Sequence, residues 1–302
     1  MQKKIITKIS EGLGNQLFMY ANSYSLSRAN NFNHYIDTLS GYYQSKHIQK
    51  FALDRFNISA NKASNKYTFE NFYKNSYKKI LIFFDVFSKN KKFFFEKKHI
   101  NKFTSYYPLD LAGAHDFFFL DGNFESEKYF SDYRDDILKE FTIRNSEQFL
   151  DNKYLNIIKT NNVVSICVRQ NRFSERIGNK FSSNGINKSF SLVEKTIDYI
   201  NKAVRYFDKK VKNPKYLIWS NNYDNLDKYF DTKKFTFVIN DNDKILTDFF
   251  LLTKCRYFIV GPSTFHWWGA WLSNFDDKIC VRPKDLNPSN NKDFWPKKWV
   301  II

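Results

Sequence analysis

The 302-residue sequence is poor in glycine, methionine, proline and cysteine, with 9, 2, 6 and 3 of each. Cys167, Cys255 and Cys280 are odd in number, far apart and free of any Cys-x-x-Cys spacing. That excludes a disulfide framework and a structural zinc site, and reduced, buried thiols are expected. His34, His47, His99, His115 and His266 are the only histidines, and no two have the spacing of a zinc pair. No stretch approaches the ~20 apolar residues that span a bilayer. The N-terminal residues also lack the apolar core of a signal peptide, so a cytoplasmic protein is expected. Little glycine or proline beside 33 Phe, 19 Tyr and 6 Trp argues against disorder and for bulky aromatic packing. There is no internal repeat.

Acidic residues are also scarce, 31 against 48 Lys and Arg, for a net charge of +17. Such an excess suits nucleic acid, an anionic membrane or a phosphorylated small molecule, although richness in Lys, Asn, Ile, Phe and Tyr also follows from an AT-biased coding sequence. No zinc-finger spacing, aromatic RNA-binding signature or recognition helix is visible, so no nucleic-acid partner is expected.

Periodicity predicts a strand over 5–9, a turn over 11–14 and a helix over 15–29. Residues 40–110 are the least regular and read as helix with loops. A strand at 117–120 and a helix at 127–141 lead to a lobe boundary near 145, giving lobes 1–145 and 146–302. Beyond it, strands at 163–168, 216–220, 235–239 and 257–260 alternate with helices at 192–207, 248–255 and 265–272. That alternation predicts an α/β fold with a doubly wound parallel sheet in the C-terminal lobe, its ligand outside the carboxyl ends of the strands.

Three clusters fall at such ends. In Glu11-Gly12-Leu13-Gly14-Asn15-Gln16 two glycines let a ligand approach the backbone, and the helix that follows offers free N–H groups to negative charge. The run Ser165-Ile166-Cys167-Val168-Arg169-Gln170-Asn171-Arg172 ends a buried strand in arginines, whose planar fork matches phosphate oxygens. In Gly261-Pro262-Ser263-Thr264-Phe265-His266-Trp267-Trp268 two hydroxyl residues open an aromatic helix, where they serve either as phosphate ligands or as caps. Asp241-Asn242-Asp243 has the spacing of a metal-binding Asp-x-Asp but reads better as a turn, so no metal is expected. His266 reads as core or cap. The stretch 74–98 interleaves lysines with Tyr77, Ile80, Leu81, Phe83, Phe84 and Phe93 to Phe95. It reads as a solvated helix with one buried face, or as a peripheral contact with an anionic membrane.

Gly12-Leu13-Gly14-Asn15-Gln16-Leu17-Phe18-Met19-Tyr20-Ala21 resembles the opening of the bacterial α-1,2-fucosyltransferases, glycosyltransferase family 11. Asp121-Gly122-Asn123-Phe124-Glu125-Ser126-Glu127-Lys128-Tyr129-Phe130 is similar to their central Gly-Tyr-x-Gln-x-x-x-Tyr-Phe segment. Ser263-Thr264-Phe265-His266-Trp267-Trp268-Gly269-Ala270-Trp271-Leu272 resembles their C-terminal Ser-Thr-Phe-Ser-Trp-Trp-Gly-Ala-Trp-Leu. The matches are colinear over nearly the whole chain.

The resemblance implies a GT-B-like two-lobed glycosyltransferase, an inverting reaction without metal, an acceptor-side N-terminal lobe and a C-terminal lobe that binds the nucleotide sugar. It implies GDP-fucose or another GDP-deoxyhexose as donor, with no further cofactor. The acceptor would be a glycan hydroxyl, the 2-OH of a hexose in a surface polysaccharide or O-antigen unit, lipid-linked or free. Carried over residue by residue, Gly12, Gly14 and Asn15 would line the cleft, and Arg169 would hold the donor phosphates. Asp248 would bond the base, and Ser263, Thr264 and Phe265 would frame the diphosphate.

Where the family has His-x-Arg-Arg-x-Asp, this chain has Cys167-Val168-Arg169-Gln170-Asn171-Arg172. The family's His lies by the guanine, and the Cys167 thiol is a weaker hydrogen-bond partner, so a variant sugar, a variant base and a catalytically degenerate homologue stay open beside a working enzyme with altered donor contacts, the favoured reading. The acidic position is Arg172, which leaves Glu125 as the candidate general base.

Overall fold

The computed structural model describes residues 2–43, 50–96, 104–174, 183–241 and 243–302. His47, His99, Lys97, Lys98 and Asn242 of the sequence reading lie outside them. The chain divides into two compact units, Met1–Thr142 with Ser289–Pro296, and Ile143–Pro288 with Lys297–Ile302.

The first unit runs β1 (Lys4–Lys8), α1 (Leu13–Asn30), β2 (Asn33–Asp37), β3 (Asn61–Lys62), α2 (Phe72–Asp85), β4 (Lys91–Phe95), β5 (Ala114–Asp121) and α3 (Arg134–Glu140). Its five strands are parallel in the order β3-β2-β1-β5-β4. Side chains on a strand alternate between its faces. Ile5 therefore packs with Leu111, Phe118, Leu120 and Phe124, while Ile6 joins Phe69, Phe93 and Phe119 on the other side. α1 is buried along most of its length and stops at Asn31, whose φ of 53° gives the left-handed cap that asparagine tolerates. The expected helix at 127–141 is two short 3-10 turns followed by α3. The tail segment is tied to this unit by Thr104, whose N–H donates to Asn290 O at 2.7 Å and whose carbonyl accepts from Lys292 N at 2.8 Å.

The second unit runs α4 (Lys153–Thr160), β6 (Val163–Val168), α5 (Ser183–Lys210), β7 (Lys215–Ser220), β8 (Phe235–Phe237), α6 (Lys244–Thr253), β9 (Tyr257–Ile259), α7 (Thr264–Leu272), β10 (Ile279–Arg282) and β11 (Val300–Ile301). All six strands are parallel, ordered β8-β7-β6-β9-β10-β11. In chain order that is 3-2-1-4-5-6, the doubly wound arrangement of dinucleotide-binding domains. Every residue of β6 is buried, as a central parallel strand covered on both faces requires. Val164, Ile166 and Val168 meet Val193, Ile197, Ile200, Val204 and Phe207, which recur at helical spacing on α5. α7 is apolar on nearly all sides and correspondingly buried, with Trp267 and Trp271 stacked 6.1 Å apart. Gly269 lets it approach α6, because a Cβ there would stand 2.7 Å from the Leu252 Cβ.

Candidate active site

In a doubly wound sheet the chain leaves in opposite directions from two neighbouring strands, and a crevice opens beyond their carboxyl ends. In the second unit those strands are β6 and β9. Beyond β6 come Arg169 and Arg172, and beyond β9 comes Gly261-Pro262-Ser263 leading into α7. Gly261 is fixed by space: a Cβ there would lie 2.3 Å from the carbonyl oxygen of Cys167, so only glycine brings the two strand ends so close.

The start of α7 has no side-chain cap. Ser263 is the N-cap residue in extended conformation, yet its side chain makes no cap hydrogen bond. The first N–H groups of the helix therefore keep their capacity for an anion, beside the half-buried Thr264 and Phe265. His266 is fully buried, and burial lowers its pKa to about 3. Its Nδ1 accepts from Gly261 N at 3.3 Å, which assigns the proton to Nε2, 3.1 Å from Ser165 Oγ. His266 thus clamps α7 to the middle of β6 and to the turn beyond β9.

Arg172 supplies a second clamp. Its guanidinium donates to Pro262 O at 3.1 Å and to Pro288 O at 2.7 Å, joining the loops beyond β6, β9 and β10. Arg169, half-exposed at the end of β6, is close enough for its charge to oppose the rise of the Cys167 pKa. Burial nevertheless pushes the Cys167 thiol up to about 12, so it is neutral at physiological pH.

Asp248 sits on the inner side of α6, 5% exposed, and accepts a 2.7 Å hydrogen bond from Asn240 Nδ2. Burial raises its pKa to about 6, although the Asn240 hydrogen bond and the Lys244 charge pull it back. Its charge reaches Cys167 and Tyr223 and raises both. Asp248, Cys167 and Tyr223 are therefore close enough to act on one another's charge, and α6 meets the start of α7 where the Phe249 and Phe265 rings lie 5.3 Å apart. Asp243 caps α6 in a left-handed turn with φ 40°. Among the described residues no group of three or more His, Cys, Asp or Glu could hold a metal ion.

In the first unit the corresponding strands are β1 and β5, with Gly12, Gly14 and Asn15 beyond one and Glu125 beyond the other. Gly12 is the N-cap of α1 with an ordinary φ of −80°, whereas Glu11 before it has φ 64°. The left-handed region disfavours a glutamate, so this residue holds strain that nothing in the sequence announced. Asn15 Nδ2 donates to the Glu11 carboxylate, and Asn15 Oδ1 is buried with no hydrogen-bond partner. Gln16 is a brace: its amide donates to Glu11 O at 2.9 Å and Lys50 O at 2.8 Å and accepts from Ala52 N at 2.9 Å. Glu125 is half-buried in the turn after β5, next to Phe124, whose φ is also left-handed at 52°.

Comparison with known proteins bears on the family and the fold. The family model for glycosyl transferase family 11 matches residues 4–302. An alpha-1,2-colitosyltransferase of Escherichia coli is 28% identical over 99% of this chain and 98% of its own length. The O-antigen biosynthesis glycosyltransferase WbnK, also of Escherichia coli, is 27% identical over 94% of this chain and 95% of its own. A mutant of Arabidopsis thaliana FUT1 solved in complex with GDP has a TM-score of 0.53 at 12% identity, covering 96% of this chain and 72% of that one. The last likeness is one of fold and gives the two α/β units a GT-B-like architecture. With the family model spanning almost every residue, the chain is a glycosyltransferase and belongs to glycosyl transferase family 11.

Proposed function

We propose that the chain transfers a deoxyhexose from a GDP-sugar, GDP-fucose or GDP-colitose, to the 2-OH of a hexose in an O-antigen or surface polysaccharide unit, in the cytoplasm. The observation that carries this reading is the pairing of a helix start without a side-chain cap and a buried carboxylate on the neighbouring α6, whose Phe249 ring lies 5.3 Å from the Phe265 ring. An ionised Asp248 accepts two hydrogen bonds from the N1–H and N2–H₂ edge of guanine, which uracil and thymine lack. The diphosphate meets the N–H groups of α7, the Ser263 and Thr264 hydroxyls and the Arg169 guanidinium, with Phe265 beside them. The family and the colitosyltransferase and O-antigen relatives support the sugar class.

In the reaction the acceptor oxygen attacks the anomeric carbon from the face opposite the diphosphate. The C–O bond to phosphate breaks, GDP leaves with the bonding electrons, and the configuration inverts. Arg169 and the α7 N-terminus stabilise the charge that develops on the leaving oxygen. No step requires a metal. The acceptor proton goes to a carboxylate beyond β1 or β5, where Glu125 and the strained Glu11 are the candidates.

A different nucleotide remains the second reading, favoured by the neutral Cys167 where the family has histidine. Calorimetry with GDP, UDP, dTDP and CMP decides between them. GDP should bind tightest. Equal or tighter binding of UDP or dTDP would overturn the guanine assignment and leave the glycosyltransferase intact.

A further inference from the structure

Helix α2 is inside out. At ~100° per residue, Tyr73, Tyr77, Ile80 and Phe84 share one stripe with Phe87 just past the helix end, flanked by Phe72 and Phe83. All seven are between 53% and 82% exposed. The opposite side does the packing. Leu81 and Ile82 lie against the Ile6, Phe69, Phe93 and Phe119 cluster, and Lys78 pairs with Asp121 at 3.3 Å. The helix therefore has two apolar faces, of which the fold covers the narrower one. Exposed rings touch one another instead of a core, with Phe83 5.5 Å from Phe84 and 5.9 Å from Phe87. A contiguous patch of this kind marks an interaction surface.

The charges around it select the occupant. Asp85 is the one acidic residue between 72 and 95, and its carboxylate is buried and used, accepting from the N–H groups of Lys92 at 2.7 Å and Phe93 at 3.1 Å. Lys79 and Lys89 are exposed at the margin of the patch. A second copy of the chain would bring the same lysines against these, so self-association through the patch is opposed by like charge. An anionic bilayer supplies both missing complements, acyl chains for the rings and headgroup phosphates for the lysines, with the tyrosine hydroxyls at the boundary. The 14 residues of α2 are about 21 Å long, short of the ~30 Å hydrocarbon core, and among the described residues no helix is long and apolar enough to cross a membrane. We infer that α2 lies flat in the surface of an anionic membrane, with its Tyr73–Phe87 stripe in the acyl boundary and Lys79 and Lys89 at the headgroups. The inference goes beyond the assignment of donor and acceptor and does not depend on it.

Flotation of the purified full chain with vesicles tests it. Vesicles of phosphatidylcholine and phosphatidylglycerol in equal parts should carry the protein up at least tenfold better than phosphatidylcholine alone, and added salt should weaken that binding. Phe83→Ser combined with Phe84→Ser and Phe87→Ser should lower vesicle binding at least tenfold while leaving transfer to a water-soluble acceptor unchanged. Lys79→Glu with Lys89→Glu should remove the preference for phosphatidylglycerol. The proposal is overturned if the wild-type chain does not float with anionic vesicles, or if the triple variant floats as well as wild type. It is equally overturned if the triple variant turns a dimer into a monomer with vesicle binding unaltered, since the patch would then be a contact between copies. Should the triple variant misfold, the lipid and salt dependence of the wild-type chain decides alone.

Discussion

Asp248→Asn should stabilise the free protein and weaken its grip on the donor. The Asp248 pKa is raised from 3.8 to about 6 by burial. Between those values the folded chain holds a proton that the unfolded chain has lost, so stability falls as pH rises through this window and the penalty is complete above it. Two pKa units at ~1.36 kcal/mol each put the ceiling near 3 kcal/mol. Asparagine cannot ionise and keeps an acceptor oxygen for the Asn240 amide. Denaturant unfolding at pH 8 should therefore show the variant more stable by up to ~3 kcal/mol, with the difference gone below about pH 4. Binding should move the other way, because a hydrogen bond to a charged group contributes ~1.5–3 kcal/mol, a tenfold to hundredfold loss of affinity. The wild-type affinity should itself weaken about tenfold from pH 7 to pH 5, as the ionised fraction falls, and the variant should lack that slope. Calorimetry should use an intact GDP-sugar, because the terminal phosphate of GDP titrates near pH 6. At pH 6 binding should release about half a proton. Proton uptake would mean that Asp248 donates to a base carbonyl, and a variant that is less stable with undiminished affinity would refute the reasoning altogether.

Arg169→Ala should lower kcat by about 10²–10³, the effect of removing a charge-stabilising donor at a developing oxyanion, and near wild-type turnover would remove Arg169 from the diphosphate site. Glu11→Gln and Glu125→Gln should be assayed side by side: the one that bears the acceptor proton should lose about 10²–10⁴ in rate, and whichever variant keeps its rate drops out as the base. Transfer should survive EDTA, and a hundredfold loss restored by manganese would show that the reaction depends on a metal after all.

The parts of the fold that the sequence revealed are those whose pattern and environment agree. The buried run Val163–Val168 and the α5 stripe from Val193 to Phe207 are visible because each has one period and one partner surface. β2 and β4 were not. Asn33–Asp37 has too few apolar residues to read as a strand, and Lys91–Phe95 lies in a lysine-rich stretch that reads as solvated helix, a reading the structure corrects. Helix α2 was ambiguous for another reason: apolar residues on two faces blur the stripe that separates a buried side from a solvated one. At the site, the strand-end positions of Arg169, Ser263 and Asn15 were legible from the alternation of elements. The left-handed Glu11 was not, since glutamate carries no signal for that conformation. Nor was the Arg172 clamp, whose acceptors Pro262 and Pro288 lie 90 and 116 residues away.

The departures from the family motif bear on whether the site still works. Arg172, standing where the family has an acid, is engaged by two backbone carbonyls and steadies the loop that leads into α7. Cys167 is neutral and packed against Gly261, so it leaves no unpaired charge near the crevice. Both substitutions are thus accommodated within the second unit. Two costs do lie at the switch points: a buried carboxylate held against its preference at Asp248, and a glutamate in the left-handed region at Glu11 with an unpaired amide oxygen beside it. Strain of this sort persists only where the surrounding structure enforces it. A protein freed from binding a donor would gain stability from asparagine at 248 and from glycine or asparagine at 11, each a single substitution without steric demand.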